Sequence, residues 1–244
     1  MDILFLTHQI PNQYLGATIR PFHLIKNFSE EYNYNISLIS FVTDMQMNYV
    51  DEIKRYCQNT LFLPLRSLNN RRIIAIETLR NTLSPKNIIS KIKSKNGVFD
   101  PSYYAVRDIQ KRIDGFIERY RFDAVYSDAG MAGYVANSSL PKIVEPLDIN
   151  YKNWLHYSIK KSGFPIKIYW LIRFLQTMYR EIYIYKKFDY CVVVTENDKK
   201  SIDRYLQNVI VIPNGVDIDY FKPIDIEDDY LSLIFTGAMN GGKI

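Results

Sequence analysis

FDYCVVVTENDKKSIDRYLQNVIVIPNGVDIDYFKP, residues 188–223, contains two short apolar runs with a polar, helix-forming interval between them. YCVVVTEND (190–198) is the most strand-like run in the chain, NDKKSIDRYL supplies a helix, and NVIVIPN (208–214) is a second strand broken by Pro213, Asn214 and Gly215. Both runs are continuously apolar rather than alternating. That pattern marks strands covered on both faces, as in parallel sheets. A strand, a helix and a second strand of this kind form one crossover unit.

The same unit recurs towards the N-terminus. ILFLT (3–7), NISLISF (35–41), TLFLPL (60–65), FDAVYSD (122–128) and PKIVEPLD (141–148) read as further buried strands. Between them lie helical patterns: Ile19, Phe22, Ile25, Lys26 and Phe28; TDMQMNYVDEIKRYC (43–57), with Thr43 or Asp44 as N-cap; and PSYYAVRDIQKRIDGFIERY (101–120), with Pro101 near its first turn. A small-residue helix follows Asp128, and a long aromatic helix extends to about Lys187. Strands alternating with helices predict an α/β fold: a doubly wound, mainly parallel Rossmann-like sheet with helices on both faces.

Composition narrows the classes. The 244 residues are 47% hydrophobic and 23% charged, a globular profile with material for a sizeable core. The net charge of +5, from 31 Lys+Arg and 26 Asp+Glu, is too mild to argue for nucleic acid. Two distant cysteines, Cys57 and Cys191, offer neither a disulfide framework nor metal-ligand spacing, which favours a reducing compartment. MDILFLTHQIP lacks a basic start, has a short apolar stretch and is closed by Pro11, so it does not read as a signal peptide. No apolar run approaches the ~20 residues of a membrane span. The expectation is a cytoplasmic protein, at most peripheral to the inner face of a membrane.

Ligands of doubly wound sheets bind beyond the carboxyl ends of the strands. The first such loop, THQIPNQYLGATIRPF, carries one glycine, not the G-x-G-x-x-G of a dinucleotide site, and this disfavours a nicotinamide enzyme. Gly16, Ala17 and Thr18 are small residues at a helix start, where unpaired N–H groups and the positive helix end suit a phosphate; Arg20 would add a charged hydrogen bond. The alternative is that Gly16 only turns the loop and Arg20 is solvated. At the other strand ends, Asp128 is either an acceptor for an attacking hydroxyl or a helix N-cap. Glu145 and Asp148 would orient a ligand hydroxyl at the next strand end, Asp148 alternatively capping INYKNWLHY. Glu196 reads as a first-turn acid, His8 as a residue lining the cleft, and His23 and His156 as ordinary helix residues.

These residues carry a resemblance. THQIPNQYLGATIRPFHLIKNF (7–28), FDAVYSDAG (122–130), EIYIYKKFDYCVVVTENDKKSI (181–202), IPNGVDIDYFKP (212–223) and LIFTGAMN (233–240) resemble, in order, segments of retaining GT-B glycosyltransferases of the family 4 type, especially those of exopolysaccharide and cell-surface assembly. The 212–223 stretch is the specific one and is similar to the family's interdomain linker. The resemblance implies a cleft enzyme that moves a sugar from a nucleotide-sugar donor to a glycan or lipid-linked acceptor with retention and without a metal or other cofactor. It implies that residues 1–211 form an acceptor-binding domain, 212–230 the linker with its hinge at Pro213, Asn214 and Gly215, and 231–244 the start of a nucleotide-sugar domain. Gly16, Ala17 and Thr18 would match the donor-phosphate loop, with Arg20 as helper. Leu15-Gly16 stands where many members have two glycines.

With so little chain after the linker, the expectation is an amino-terminal half: a fragment, one half of a split enzyme, or a binding module that keeps acceptor recognition. Two segments are candidates for peripheral membrane contact. Residues 66–99 hold eight Lys/Arg and one Glu, and residues 160–188 hold seven Lys/Arg, one acid and six prominent aromatics. In the second, the competing reading is that Ile168, Leu171, Ile172, Leu175, Met178 and Ile182 form a stripe packed on the sheet.

Overall fold

The computed structural model describes residues 1–64, 109–160, 164–216, 218, 221 and 222. The basic segment 66–99, Pro101 and the strand expected near 231–236 lie outside them. The chain divides into two compact units, Met1–Pro213 and Asn214–Ile244. The described residues of the second are few, and Val216, Ile218 and Phe221 among them are exposed.

The first unit is one seven-stranded, all-parallel sheet. In chain order its elements are β1 (Asp2–Thr7), α1 (Gly16–Glu30), β2 (Asn35–Val42), a 3₁₀ turn (Asp44–Tyr49), α2 (Val50–Lys54), β3 (Asn59–Pro64), α3 (Ile109–Arg119), β4 (Ala124–Asp128) and α4 (Ala132–Val135). After them come β5 (Lys142–Glu145), α5 (Tyr151–Lys160), α6 (Phe164–Met178), a π-helical turn (Tyr179–Ile184), a 3₁₀ turn (Tyr185–Lys187), β6 (Tyr190–Val193), α7 (Glu196–Ile202) and β7 (Val209–Val211). The strand order is β3-β2-β1-β4-β5-β6-β7. The order reverses between β1 and β4, where Phe5 pairs with Tyr126 and Leu6 with Ser127. This is the Rossmann-like arrangement that the continuous apolar runs predict.

β1, β2, β4 and β6 bury both faces, while most of the edge strand β3 is half-buried and Ile210 of the other edge strand, β7, is exposed. Along β1, Ile3 and Phe5 join Phe22 and Ile25 of α1 and Ile53 of α2; Leu4 and Leu6 join Ile113 of α3, Met131, Ile184 and Tyr185 on the other side. Burying such a side chain stabilises by roughly 1.5–3 kcal/mol, so the two cores together dominate the folded state.

Three local readings change. The helix expected across 43–57 is a 3₁₀ turn followed by the five-residue α2, with Thr43 at the head of the 3₁₀ turn in a capping box with Gln46. Thr43, Asp44, Asn48, Tyr49 and Val50 give its first half little intrinsic drive for a long helix. The long helix expected through Lys187 is two helices, a π-helical turn and a 3₁₀ turn. Its apolar phase also differs in part: of the expected stripe, Met178 packs against the core but Leu171 and Leu175 are 46% and 49% exposed, while Phe174, Ile184 and Tyr185 join the core and Glu181 is buried. A helix apolar on most sides does not reveal its buried face from periodicity, and the contacts of Phe174 and Met178 set it.

Candidate active site

The carboxyl ends of β1, β4 and β5 lie side by side, and in register Asp128 sits opposite Glu145. Four of the residues singled out in the sequence, His8, Arg20, Asp128 and Glu145, meet here in two hydrogen-bonded pairs.

The first pair is His8 and Asp128. The chain leaves β1 at Thr7, so His8 turns across the end of β4. Its backbone N–H donates to Asp128 Oδ2 at 2.5 Å, and its Nδ1 lies 2.6 Å from the same oxygen. The other carboxylate oxygen, Oδ1, accepts from the Met131 N–H at 3.0 Å, which secures the turn into α4. Asp128 therefore caps that turn and holds the histidine as well. With Nδ1–H directed at the carboxylate, the lone pair of a neutral imidazole resides on Nε2. The pair is part-buried, with 30% of the His8 side chain and 13% of the Asp128 side chain exposed. A carboxylate that orients an imidazole and stabilises its protonated form is the arrangement of a general base.

The second pair is Arg20 and Glu145. Arg20 Nε donates to Glu145 Oε1 at 2.5 Å, and Nη1 donates to the carbonyl oxygen of Pro213 at 2.9 Å. Burial pushes the Glu145 carboxyl above its usual range, and the Arg20 guanidinium opposes that shift. Arg20 thus ties α1 to the end of β5 and to the chain leaving β7. Two of its donors are committed to protein acceptors.

The loop between β1 and α1 is built around a residue that the sequence reading passed over. Asn12 is fully buried; its Oδ1 accepts from Tyr14 N–H and Leu15 N–H at 3.0 Å each, and its amide donates to Ile10 O at 2.9 Å. Thr18 is buried too, with its hydroxyl 3.0 Å from Asn12 O and 2.8 Å from Leu15 O. The Thr18 N–H also donates to Leu15 O. The Thr18 groups expected to face a phosphate are thus engaged in holding the loop. Gly16 and Ala17 are exposed at the head of α1, and a Cβ added at Gly16 would meet nothing within 4 Å.

Asp148 is exposed before α5 and does not cap it. Glu181, from the π-helical turn, does so instead: its Oε1 and Oε2 accept from Asn150 N–H and Tyr151 N–H, each at 2.9 Å. Burial pushes the Glu181 carboxyl up to about 7, against the opposing pull of those two N–H groups and Arg180. Glu196 lies in the first turn of α7, whose N-cap is Thr195. Pro213, Asn214 and Gly215 are exposed beyond β7. Cys57 and Cys191 are unbridged thiols that burial pushes up to about 12, which keeps them protonated. Among the described residues no three His, Cys, Asp or Glu side chains gather as a metal-binding set, and no helix is long and apolar enough to cross a membrane.

No protein-family model and no curated protein sequence matches this chain. Solved structures similar to it include the glycotransferase of kitacinnamycin, 10% identical, with a TM-score of 0.46 over 88% of this chain and 52% of that one. Arabidopsis thaliana UGT89C1 complexed with UDP is 13% identical, with a TM-score of 0.46 over 88% of this chain and 50% of its own. UDP-glucose:anthocyanidin 3-O-glucosyltransferase in complex with UDP is 12% identical, with a TM-score of 0.44 over 86% and 52%. The chain spans about half the length of these structures.

Proposed function

We propose that this chain forms the acceptor side of a glycosyltransferase that moves a sugar from a nucleotide-sugar donor to a hydroxyl of a glycan or lipid-linked acceptor. The observation that carries the reading is the His8–Asp128 pair at the point where the strand order reverses. Crevices at that point are where doubly wound sheets bind ligands, and an oriented imidazole there suits removal of a hydroxyl proton. The linker-like stretch at 212–223 supports the two-domain assignment. In this reading Gly16 and Ala17 offer backbone N–H groups to the donor diphosphate, and Glu145 and Asp148 border the acceptor. Pro213, Asn214 and Gly215 form the hinge. The nucleotide sugar is a substrate, and no further cofactor is invoked. Cell-surface polysaccharide assembly at the cytoplasmic face of a membrane is the setting that the linker resemblance favours.

On stereochemistry, the resemblance favours retention. The His8–Asp128 geometry favours a second reading. In it His8 Nε2 takes the acceptor proton as the oxygen bonds to the anomeric carbon, and the diphosphate leaves with the electron pair of the breaking bond. A single in-line displacement of that kind inverts the configuration. The test is turnover of nucleotide sugars by the gene product carrying this chain, with product configuration read by NMR. Acceptor-dependent release of nucleoside diphosphate that His8→Ala lowers by roughly 10²–10⁴ is the expected result. Binding of a glycan or lipid acceptor with no turnover of any nucleotide sugar would reduce the chain to a recognition module.

A further inference from the structure

The last residue of the first unit is held by its carbonyl oxygen. β7 is an edge strand of three residues, and just after it the Ile212 N–H donates to Val193 O at 2.9 Å. Pro213 ends the unit, is exposed, and brings no N–H to the ladder. Its carbonyl oxygen accepts from Arg20 Nη1 at 2.9 Å, 193 residues away in sequence.

That bond fixes a direction as well as a position. The pyrrolidine ring locks φ of Pro213 near about −65° and confines Ile212 before it to extended conformations. What the ring leaves open is ψ, the angle that turns the Pro213 carbonyl and with it the peptide into Asn214. Holding the carbonyl oxygen therefore sets the remaining soft dihedral of this residue, and with it the course on which the chain departs.

The donor is itself anchored. Arg20 Nε donates to Glu145 Oε1, and only 14% of the Arg20 side chain and 5% of the Glu145 side chain are exposed. A guanidinium is planar, so an acceptor at Nε orients the plane in which Nη1 meets Pro213. Glu145 closes β5 and is the register partner of Asp128, which holds His8. The course of the departing chain is thus referred to the same strand ends that carry the His8–Asp128 pair.

We infer that Arg20, seated on Glu145, is a positioning residue that aims the segment beyond Pro213 with respect to His8, so that donor and acceptor meet at reacting distance. Its effect on rate rests on the proposed sugar transfer; the aiming of the chain does not. A lysine has a compact ammonium and no fork. It keeps a charge opposite Glu145 but cannot hold both acceptors in this geometry. Arg20→Lys therefore separates the clasp from the buried charge pair. Pro213→Ala, at an exposed position, releases φ and leaves the pair untouched.

The experiment is nitrogen-15 relaxation of the 244-residue chain, beside turnover by the gene product carrying it. Arg20→Lys and Pro213→Ala should each lower the order parameters of the Asn214 and Gly215 amides from roughly 0.85 to about 0.6 or below, with the urea midpoint unchanged. In the transfer assay Arg20→Lys should lower kcat by roughly 10–10²-fold and leave both KM values as they are, as expected for misaligned reactants. Order parameters at Asn214 and Gly215 that neither variant changes would overturn the inference. So would loss of order spread through α1 and β5, the mark of a merely structural residue, or a raised donor KM at unchanged kcat, the mark of a phosphate ligand. Loosened amides in the variants of a protein that turns over no nucleotide sugar would support the clasp and count only against the proposed function.

Discussion

Arg20 and Glu145, 125 residues apart, form a largely buried ion pair in which the guanidinium also reaches the Pro213 carbonyl. Removing one member leaves the other charge without compensation in a poorly hydrated place. Arg20→Met is expected to cost about 3 kcal/mol, the lower end for a broken buried pair because the guanidinium keeps some solvent. Arg20→Met/Glu145→Gln should recover part of that loss. Urea midpoints of Arg20→Met, Glu145→Gln, the double variant and wild type check both expectations, and losses in the two single variants that simply add in the double variant would mean the two residues are not coupled.

At His8 and Asp128 the two roles of the carboxylate separate by substitution. His8→Ala removes the imidazole and leaves Asp128 to cap Met131, so stability should change little while transfer falls by roughly 10²–10⁴. Asp128→Asn puts an amide nitrogen in place of one of the two oxygens, Oδ2 accepting from the His8 N–H and Oδ1 from the Met131 N–H, so one of these donors loses its acceptor. That change should cost about 1–3 kcal/mol in addition to activity. Thermal unfolding measured beside turnover distinguishes the two variants.

Glu181 gives the fold a signed pH dependence. Its folded value of about 7 lies above the ordinary 4.5, so the folded state binds more protons than the unfolded chain between those values. Its contribution to stability therefore falls as pH rises from about 4.5 to about 7. In Glu181→Gln that contribution is absent, and the denaturant midpoint should change less between pH 5 and pH 8 than in wild type. A variant profile parallel to wild type would place the titration elsewhere.

Asn12 holds the β1–α1 loop through bonds on both sides of its amide. Asn12→Ala leaves the Tyr14 and Leu15 N–H groups without that acceptor, and a loss of about 2 kcal/mol is expected, with faster amide exchange confined to the segment from Tyr14 to Thr18. Uniform acceleration across β1 and β2 would instead mean that the whole sheet depends on this residue.

The strands were legible because burial on both faces leaves a continuous apolar run, and β1, β2, β4, β6 and β7 lie where those runs predict. The candidate site was legible only residue by residue. His8 and Asp128 stood out through position at strand ends, yet their pairing depends on β4 adding next to β1, which no local pattern states. Asn12 looked like any loop asparagine, since a buried organiser and a solvated turn residue have the same composition. Glu181 was hidden in an aromatic helix. A lone acid there reads as a surface residue unless its partners, the first N–H groups of a helix 30 residues earlier, are known.

The strand order also has a consequence during synthesis. β1 is an interior strand of the sheet and is made before both of its neighbours, one of which, β4, begins only at Ala124. At ribosomal speeds of ~5–20 residues per second, that flank of β1 waits ~6–25 s for its partner. Over that interval Ile3, Leu4, Phe5 and Leu6 present an apolar strand with an open hydrogen-bonding edge, which exposes the nascent chain to non-native pairing until β4 arrives.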